Sequence, residues 1–175
     1  MTIEPSSIPA PAALHPPLGA VQGGGPAGPP VVVPDQALVA EILDQMQLKH
    51  VVDEEGDLAA PWEGFRVYYM FRGEQKELFA VRAFYDRSYP LERKAEILDL
   101  IDEWNGETLW PKVYTHTHTH ADGDGVVRLI GESQMIVGTG VNLDHFVSAI
   151  ANWTQASVGF EQWIAKRLGD PPEEL

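Results

Sequence analysis

Residues 65–85 have the sequence FRVYYMFRGEQKELFAVRAFY, in which two aromatic-rich runs flank a short polar break. Aromatic and β-branched side chains favour strands, and the two runs extend from Phe65 to Phe71 and from Glu77 to Tyr85. The break, Arg72 to Gln75, contains a glycine and has the length of a hairpin loop. The stretch therefore predicts an antiparallel β-hairpin.

The first strand of this hairpin has one apolar face and one mixed face, because successive side chains of a strand alternate. The apolar face is expected to join the core and carries Phe65, Val67, Tyr69 and Phe71. The mixed face carries Arg66, Tyr68, Met70 and Arg72. Exposed Tyr and Met side chains supply adaptable contact area at interfaces. Tyr68 and Met70 are therefore the predicted partner-binding residues.

Helical patterns lie on both sides of the hairpin. Apolar residues at spacings of three or four predict three helices, which begin after Asp35, at Pro90 and near Asn142. Gly106 is expected to end the second helix in a left-handed cap, and the third is expected to stop near Gly169.

A second hairpin is predicted between the last two helices. Residues Pro111 to Thr119 alternate like a strand, Asp122 to Gly125 offers turn chemistry, and Val126 to Val137 supplies the returning strand. The order is therefore helix, strands, helix, hairpin, helix. It predicts an α+β domain with a mainly antiparallel sheet of about five strands and helices packed on one face.

The 175 residues divide into one predicted domain and two tails. Residues 1–33 are rich in Pro, Gly and Ala and are expected to be disordered, because proline removes backbone donors and the segment has little to bury. Residues 34–170 form the predicted domain, and residues 171–175 form a C-terminal tail.

The composition excludes several classes of function. The chain has no cysteine, so thiolate metal sites, disulfides and cysteine nucleophiles are excluded. A formal net charge of -14 repels nucleic acid and anionic membranes, and neither is an expected partner. The chain shows no secretory signal and no long apolar run, which predicts a cytoplasmic protein. No set of acid, base and nucleophile converges, so neither an enzyme nor a cofactor is predicted.

One histidine-rich run could carry chemistry. In the predicted strand, His116, His118 and His120 share a face, because they are two residues apart. Neighbouring imidazoles at that spacing could reach one zinc, copper or nickel ion. The alternative is a solvated histidine stripe beside a hairpin turn, since short histidine tracts bind metal weakly without surrounding groups that fix the rings.

A specific arrangement follows the second predicted helix. Residues 98–105, Leu-Asp-Leu-Ile-Asp-Glu-Trp-Asn, precede residues 110–114, Trp-Pro-Lys-Val-Tyr, and a glycine-containing hairpin. This arrangement resembles the YbjN family, particularly its actinobacterial members, over about residues 35–168. Trp104 and Trp110 are expected to anchor the junction between helix and hairpin, and Asn105 to tie down the helix end.

The resemblance implies a fold similar to that of type III secretion chaperones and a regulatory role labelled sensory transduction. It brings no catalytic motif. The Thr-His repeat and the proline-rich tail depart from the family's usual pattern. The predicted function is a non-catalytic domain that binds a protein partner or a second copy of itself. The alternative is a metal or small-ligand sensor that uses the histidine stripe.

Overall fold

The computed structural model describes residues 30–119 and 125–169. Three helices and a one-turn 3₁₀ segment at Leu91–Arg93 are present there. The helices are α1 (Gln36–Gln45), α2 (Lys94–Glu107) and α3 (Leu143–Leu168). The strands are β1 (Val31–Val32), β2 (Val51–Val52), β3 (Leu58–Trp62), β4 (Phe65–Arg72), β5 (Leu78–Pro90), β6 (Lys112–Thr119), β7 (Gly125–Ile136) and β8 (Val141–Asn142).

The strands of the described chain form one large antiparallel sheet and one small ladder. The large sheet has the order β2-β3-β4-β5-β7-β6, and β1 pairs separately with β8. The predicted α+β class with a mainly antiparallel sheet is confirmed, and both predicted hairpin strand pairs are present. The prediction of about five strands was too low, because the two-residue strands and the proline-containing β3 give weak sequence patterns.

The core lies between the sheet and the three helices. Phe79 of β5 is fully buried, and its ring centroid lies 4.9 Å from that of Phe146 and 6.4 Å from that of Trp153, both on α3. The hydroxyl groups of Tyr69 and Thr154 are hydrogen-bonded at 2.8 Å. Burial raises the pKa of the Tyr69 hydroxyl, so it stays protonated and able to donate.

The starts of α1 and α3 agree with the sequence, whereas both ends of α2 do not: Pro90, the predicted start, is the last residue of β5, and α2 begins at Lys94 after the 3₁₀ turn. Asp35 accepts from the backbone N–H of Leu38, as predicted for the cap of α1, and Asn142 caps α3 in the same way. The expectation that Gly106 ends α2 was wrong. The helix continues through Gly106 to Glu107, and the N–H and hydroxyl of Thr108 both donate to the carbonyl oxygen of Trp104. The Thr108 hydroxyl is a second donor to this carbonyl, and the helix ends because the backbone of Thr108 is extended, without a left-handed glycine.

Several predicted segments fall outside the described residues: the tail up to residue 29, residues 120–124 with most of the predicted turn, and the C-terminal residues from 170. The folded part begins a few residues before the predicted boundary at 34, since Val31 and Val32 pair with β8. In the part of the chain that the structure describes, no helix is both long and apolar enough to cross a membrane.

Candidate binding face of the sheet

One face of the large sheet packs on the helices, and the other carries no helix among the described residues. We call this second surface the open face. Antiparallel sheets commonly leave one face to solvent. Its central positions are the even-numbered ones of β4, β5 up to Phe84, β6 and β7: Arg66, Tyr68, Met70, Arg72, Leu78, Ala80, Arg82, Phe84, Lys112, Tyr114, His116, His118, Val126, Arg128, Ile130, Glu132, Gln134 and Ile136.

The strand register arranges these side chains in rows across the sheet. One row, here called the aromatic row, runs Arg66, Phe84, Ile130, Tyr114. The next row, here called the charged row, runs Tyr68, Arg82, Glu132, Lys112. Directly opposed side chains of neighbouring strands are close enough to interact, so each row acts as a continuous strip.

Glu132 lies at the centre of the charged row and holds its neighbours in place. Its Oε2 accepts from Arg82 Nε at 2.7 Å and from the Tyr114 hydroxyl at 3.2 Å. Partial burial raises the pKa of the Tyr114 hydroxyl, with Arg82 opposing the shift and Glu132 adding to it. The phenol therefore remains a hydrogen-bond donor at neutral pH, while its ring stays 37% exposed.

The two predicted partner-binding residues, Tyr68 and Met70, differ in their exposure to solvent. Tyr68 is half-buried on the open face, where its ring contacts Phe84 edge-on at a centroid distance of 5.3 Å. Its hydroxyl oxygen accepts from Arg66 at 3.4 Å. Met70 lies on the same face, yet the expectation that it is exposed was wrong, because only 3% of it reaches solvent. The guanidinium of Arg72 lies 3.0 Å from the Met70 sulfur and covers it.

A cleft of about 640 Å³ opens at the end of the charged row, where the chain enters β6. Trp110 lines it, is 44% exposed, and packs against Trp153 at a centroid distance of 6.0 Å. The neighbouring Leu109 is 82% exposed. The cleft is lined by Arg82, Leu109, Trp110, Lys112, Tyr114, Glu132, Ser133 and Gln134, and the Glu132 carboxylate is paired there with Arg82. Large apolar side chains this exposed are typical of binding surfaces rather than of a domain core.

The last turn of α2 positions the edge strand β6. Trp104 is buried and donates from Nε1 to the carbonyl oxygen of Pro111 at 3.0 Å. Asn105 accepts from the Val113 N–H at 2.9 Å and donates to the Val113 carbonyl at 3.0 Å. This pair of hydrogen bonds replaces the neighbouring strand that an edge residue lacks. The predicted anchoring role of Trp104 is confirmed, whereas Trp110, expected to share it, is 44% exposed. Asn105 ties the helix end to β6 rather than to the turn beside it.

We expect the substitution Asn105→Ala to destabilise the fold by about 2 kcal/mol, because it leaves two backbone groups of Val113 without their partners. Urea denaturation of the full chain measures the loss. The control is Gln134→Ala, an exposed open-face change expected to cost less than about 0.5 kcal/mol. Equal stability of the two variants would contradict the proposed role of Asn105.

The histidine stripe is only partly described. His116 and His118 are exposed on the open face, with ring centroids 4.3 Å apart and the rings edge-on. His116 lies opposite Arg128 on β7, which places a cation beside the pair. His120 lies outside the described residues. Within residues 30–119 and 125–169, no group of three or more His, Asp or Glu side chains could hold a metal ion.

Sequence reasoning missed most of the open face. Phe84, Tyr114 and Trp110 are more than a third exposed, and Lys112 and Arg128 complete the surface. The two-residue period, already applied to β4 and to the histidines of β6, places Tyr114 on the face of His116 and His118, and applied to β5 it would place Phe84 on one face of that strand. It could not align those faces, since the strand register depends on pairings between distant segments.

Comparisons with known proteins identify relatives of this chain. Residues 35–166 match the family model of YbjN, described as "Putative bacterial sensory transduction regulator". The crystal structure of YbjN from E. coli, titled "a putative transcription regulator", has a similar fold with a TM-score of 0.59 and 14% identity, covering 79% of this chain and 96% of that one. No curated protein matches the chain.

Proposed function

Since the chain belongs to the YbjN family, we propose that it is a non-catalytic regulatory domain that binds a protein partner through the open face of its sheet. The family description is that of a regulator of sensory transduction, which supports a regulatory role. The geometry supports a binding role, since a broad face that no helix of the described residues covers offers a surface that another protein could bind.

The observation that carries the proposal is the group of half-exposed aromatic side chains on this face. Tyr68 and Phe84 contact each other on adjacent strands, and Tyr114 lies in the same row as Phe84. Aromatic residues of this kind, surrounded by arginines, provide much of the binding energy at protein interfaces. Met70 lies on the same face but is only 3% exposed, so it is not a proposed contact residue. Tyr68, Phe84 and Tyr114 are therefore the proposed contact residues.

A double substitution tests the proposal. We expect Tyr68→Ser with Phe84→Ser to abolish recovery of partners that the wild-type chain captures from extracts of its own cells, as read by mass spectrometry. The matched control is Leu98→Ser, because Leu98 is 45% exposed on α2, which packs on the other side of the sheet. Loss of the same partners in both variants, or in neither, would count against the open face. Sedimentation of the purified chain shows whether a second copy is the partner.

A second candidate function is metal sensing by the histidine stripe, supported by the 4.3 Å separation of the His116 and His118 rings. Two imidazoles at this distance could share a zinc or nickel ion. Titration with zinc chloride should then give a Kd below about 100 μM that is lost in the variant His116→Ala with His118→Ala. The positive charge of Arg128, which lies opposite His116, disfavours a bound cation. A Kd for zinc above about 100 μM would exclude this function.

A further inference from the structure

We infer that the partner bound by the open face is an acidic protein segment that carries an apolar anchor. This inference rests on the proposed function and specifies the chemistry of the partner. The chain as a whole has a formal net charge of -14 with only 12 Lys and Arg residues. Five of those cations occupy the open-face positions of β4 to β7: Arg66, Arg72, Arg82, Lys112 and Arg128. Glu132 is the one acidic residue at those positions, so the face is opposite in sign to the molecule.

Two of these cations, Lys112 and Arg128, are available to a partner, while Arg66, which is also exposed, is engaged by the Tyr68 hydroxyl. Arg82 pairs with Glu132 and Arg72 with Asp57, so their charges are largely neutralised. Lys112 and Arg128 are exposed and make no ion pair within 4.0 Å among the described residues. An unpaired cation of this kind attracts an incoming carboxylate, weakly through water and more strongly once the contact excludes solvent.

The positions of these two cations give the spacing of the acidic groups that would match them. Arg128 lies beside His116, four residues further along β6 than Lys112. Four residues of extended chain span about 13 Å. An extended segment with carboxylates about four residues apart would therefore reach both cations when it lies along the strands.

The cleft beside Lys112 could bind the apolar anchor of the proposed acidic segment. Its lining includes the exposed side chains of Leu109 and Trp110 together with Tyr114, and its volume of about 640 Å³ accommodates a large apolar side chain. Carboxylates beside such an anchor would fall near Lys112. Buried aromatic contact provides the affinity, and the cations provide orientation and selectivity.

The charge distribution favours an acidic protein segment over nucleic acid. The basic region is confined to the sheet face, and beyond its edge the turn before β3 contains Asp53, Glu54 and Glu55. A nucleic acid long enough to extend beyond the face would be repelled by these three carboxylates. Tight binding of nucleic acid also requires many cations along a continuous track. A short segment with a few carboxylates fits within the face.

The test uses the full chain and fluorescent peptides of about twelve residues, which is long enough to cover both cations and the cleft. The probe contains Glu and Ser around a central Phe-Leu pair, and its matched form has every Glu replaced by Gln. We expect the Glu peptide to bind at least about tenfold more tightly at low salt, and the difference to shrink as salt screens the charges. Lys112→Glu with Arg128→Glu should weaken binding of the Glu peptide by a similar factor, whereas Lys166→Glu on the exposed side of α3 should leave it unchanged.

Each other result overturns the inference. Equal affinity for the Glu and Gln peptides, or no binding of either, removes the acidic partner. Tighter binding of a single-stranded thymidine oligonucleotide, lost in the same double variant, would make nucleic acid the ligand. Circular dichroism checks that the variants fold. If the variant at Tyr68 and Phe84 still loses its cellular partners while the acidic peptide fails to bind, only this inference is wrong and the proposed function stands.

Discussion

The substitution Phe79→Ala is expected to destabilise the protein by about 3–5 kcal/mol, the range for removing a fully buried phenylalanine from a packed core. Phe79 lies in the central strand β5, and its ring contacts Phe71, Phe146 and Trp153. Alanine would leave a cavity where the sheet meets α3. Because single domains have a total stability of only about 5–15 kcal/mol, this change should lower the urea midpoint sharply.

The matched control is Phe84→Ala, which removes the same ring from the opposite face of the same strand. Phe84 is 38% exposed, so we expect a loss of less than about 1 kcal/mol. The structure places the core on one side of β5 only. Similar losses in the two variants would show that the open face is also packed, and would contradict its assignment as a binding surface.

The substitution Arg87→Met is expected to cost about 3–5 kcal/mol, the range for removing one member of a buried ion pair. Arg87 Nε donates to Glu161 Oε1 at 2.7 Å, and the two side chains are only 19% and 11% exposed. The pair joins α3 to β5 at the register shift between Phe84 and Ser88. Methionine keeps much of the aliphatic stem but leaves the carboxylate of Glu161 without its arginine.

A double variant distinguishes the effect of the unpaired Glu161 charge on stability from the effect of lost side-chain packing. Replacing both members, Arg87→Met with Glu161→Leu, removes the buried carboxylate as well, and such apolar replacements are often nearly neutral. We expect the double variant to recover most of the stability lost in the single one, as measured by urea denaturation. A single variant that loses less than about 1 kcal/mol, or a double variant no more stable than the single, would show that the pair is unimportant.

Features fixed by neighbouring residues could be predicted from the sequence. Asp35 and Asn142 cap their helices because a side-chain oxygen two or three residues before a free N–H is a local relationship. The hairpin of β4 and β5 follows from alternation within one stretch of chain. These relationships do not depend on the rest of the fold.

Features that depend on side-chain conformation or on distant segments could not be predicted. Met70 alternates with the core residues, as the period indicates, yet Arg72 covers it and leaves it 3% exposed. The pairing of Phe84 with Ile130 and of Ile130 with Tyr114 depends on the register of three strands, two of which lie far from the first in sequence. The position of Gly106 suggested a helix end, whereas the helix ends two residues later at the extended backbone of Thr108.

Site-specific photo-crosslinking in the native cells tests the open face most directly, because the crosslink captures whichever protein lies against the labelled position. A photoreactive phenylalanine analogue is placed at Tyr114 on the open face and, in a separate variant, at Leu98 on α2, which is similarly exposed. We predict a crosslinked protein of higher mass from position 114 and none from position 98. Crosslinks from position 98 alone would place the partner on the helices and contradict binding through the open face.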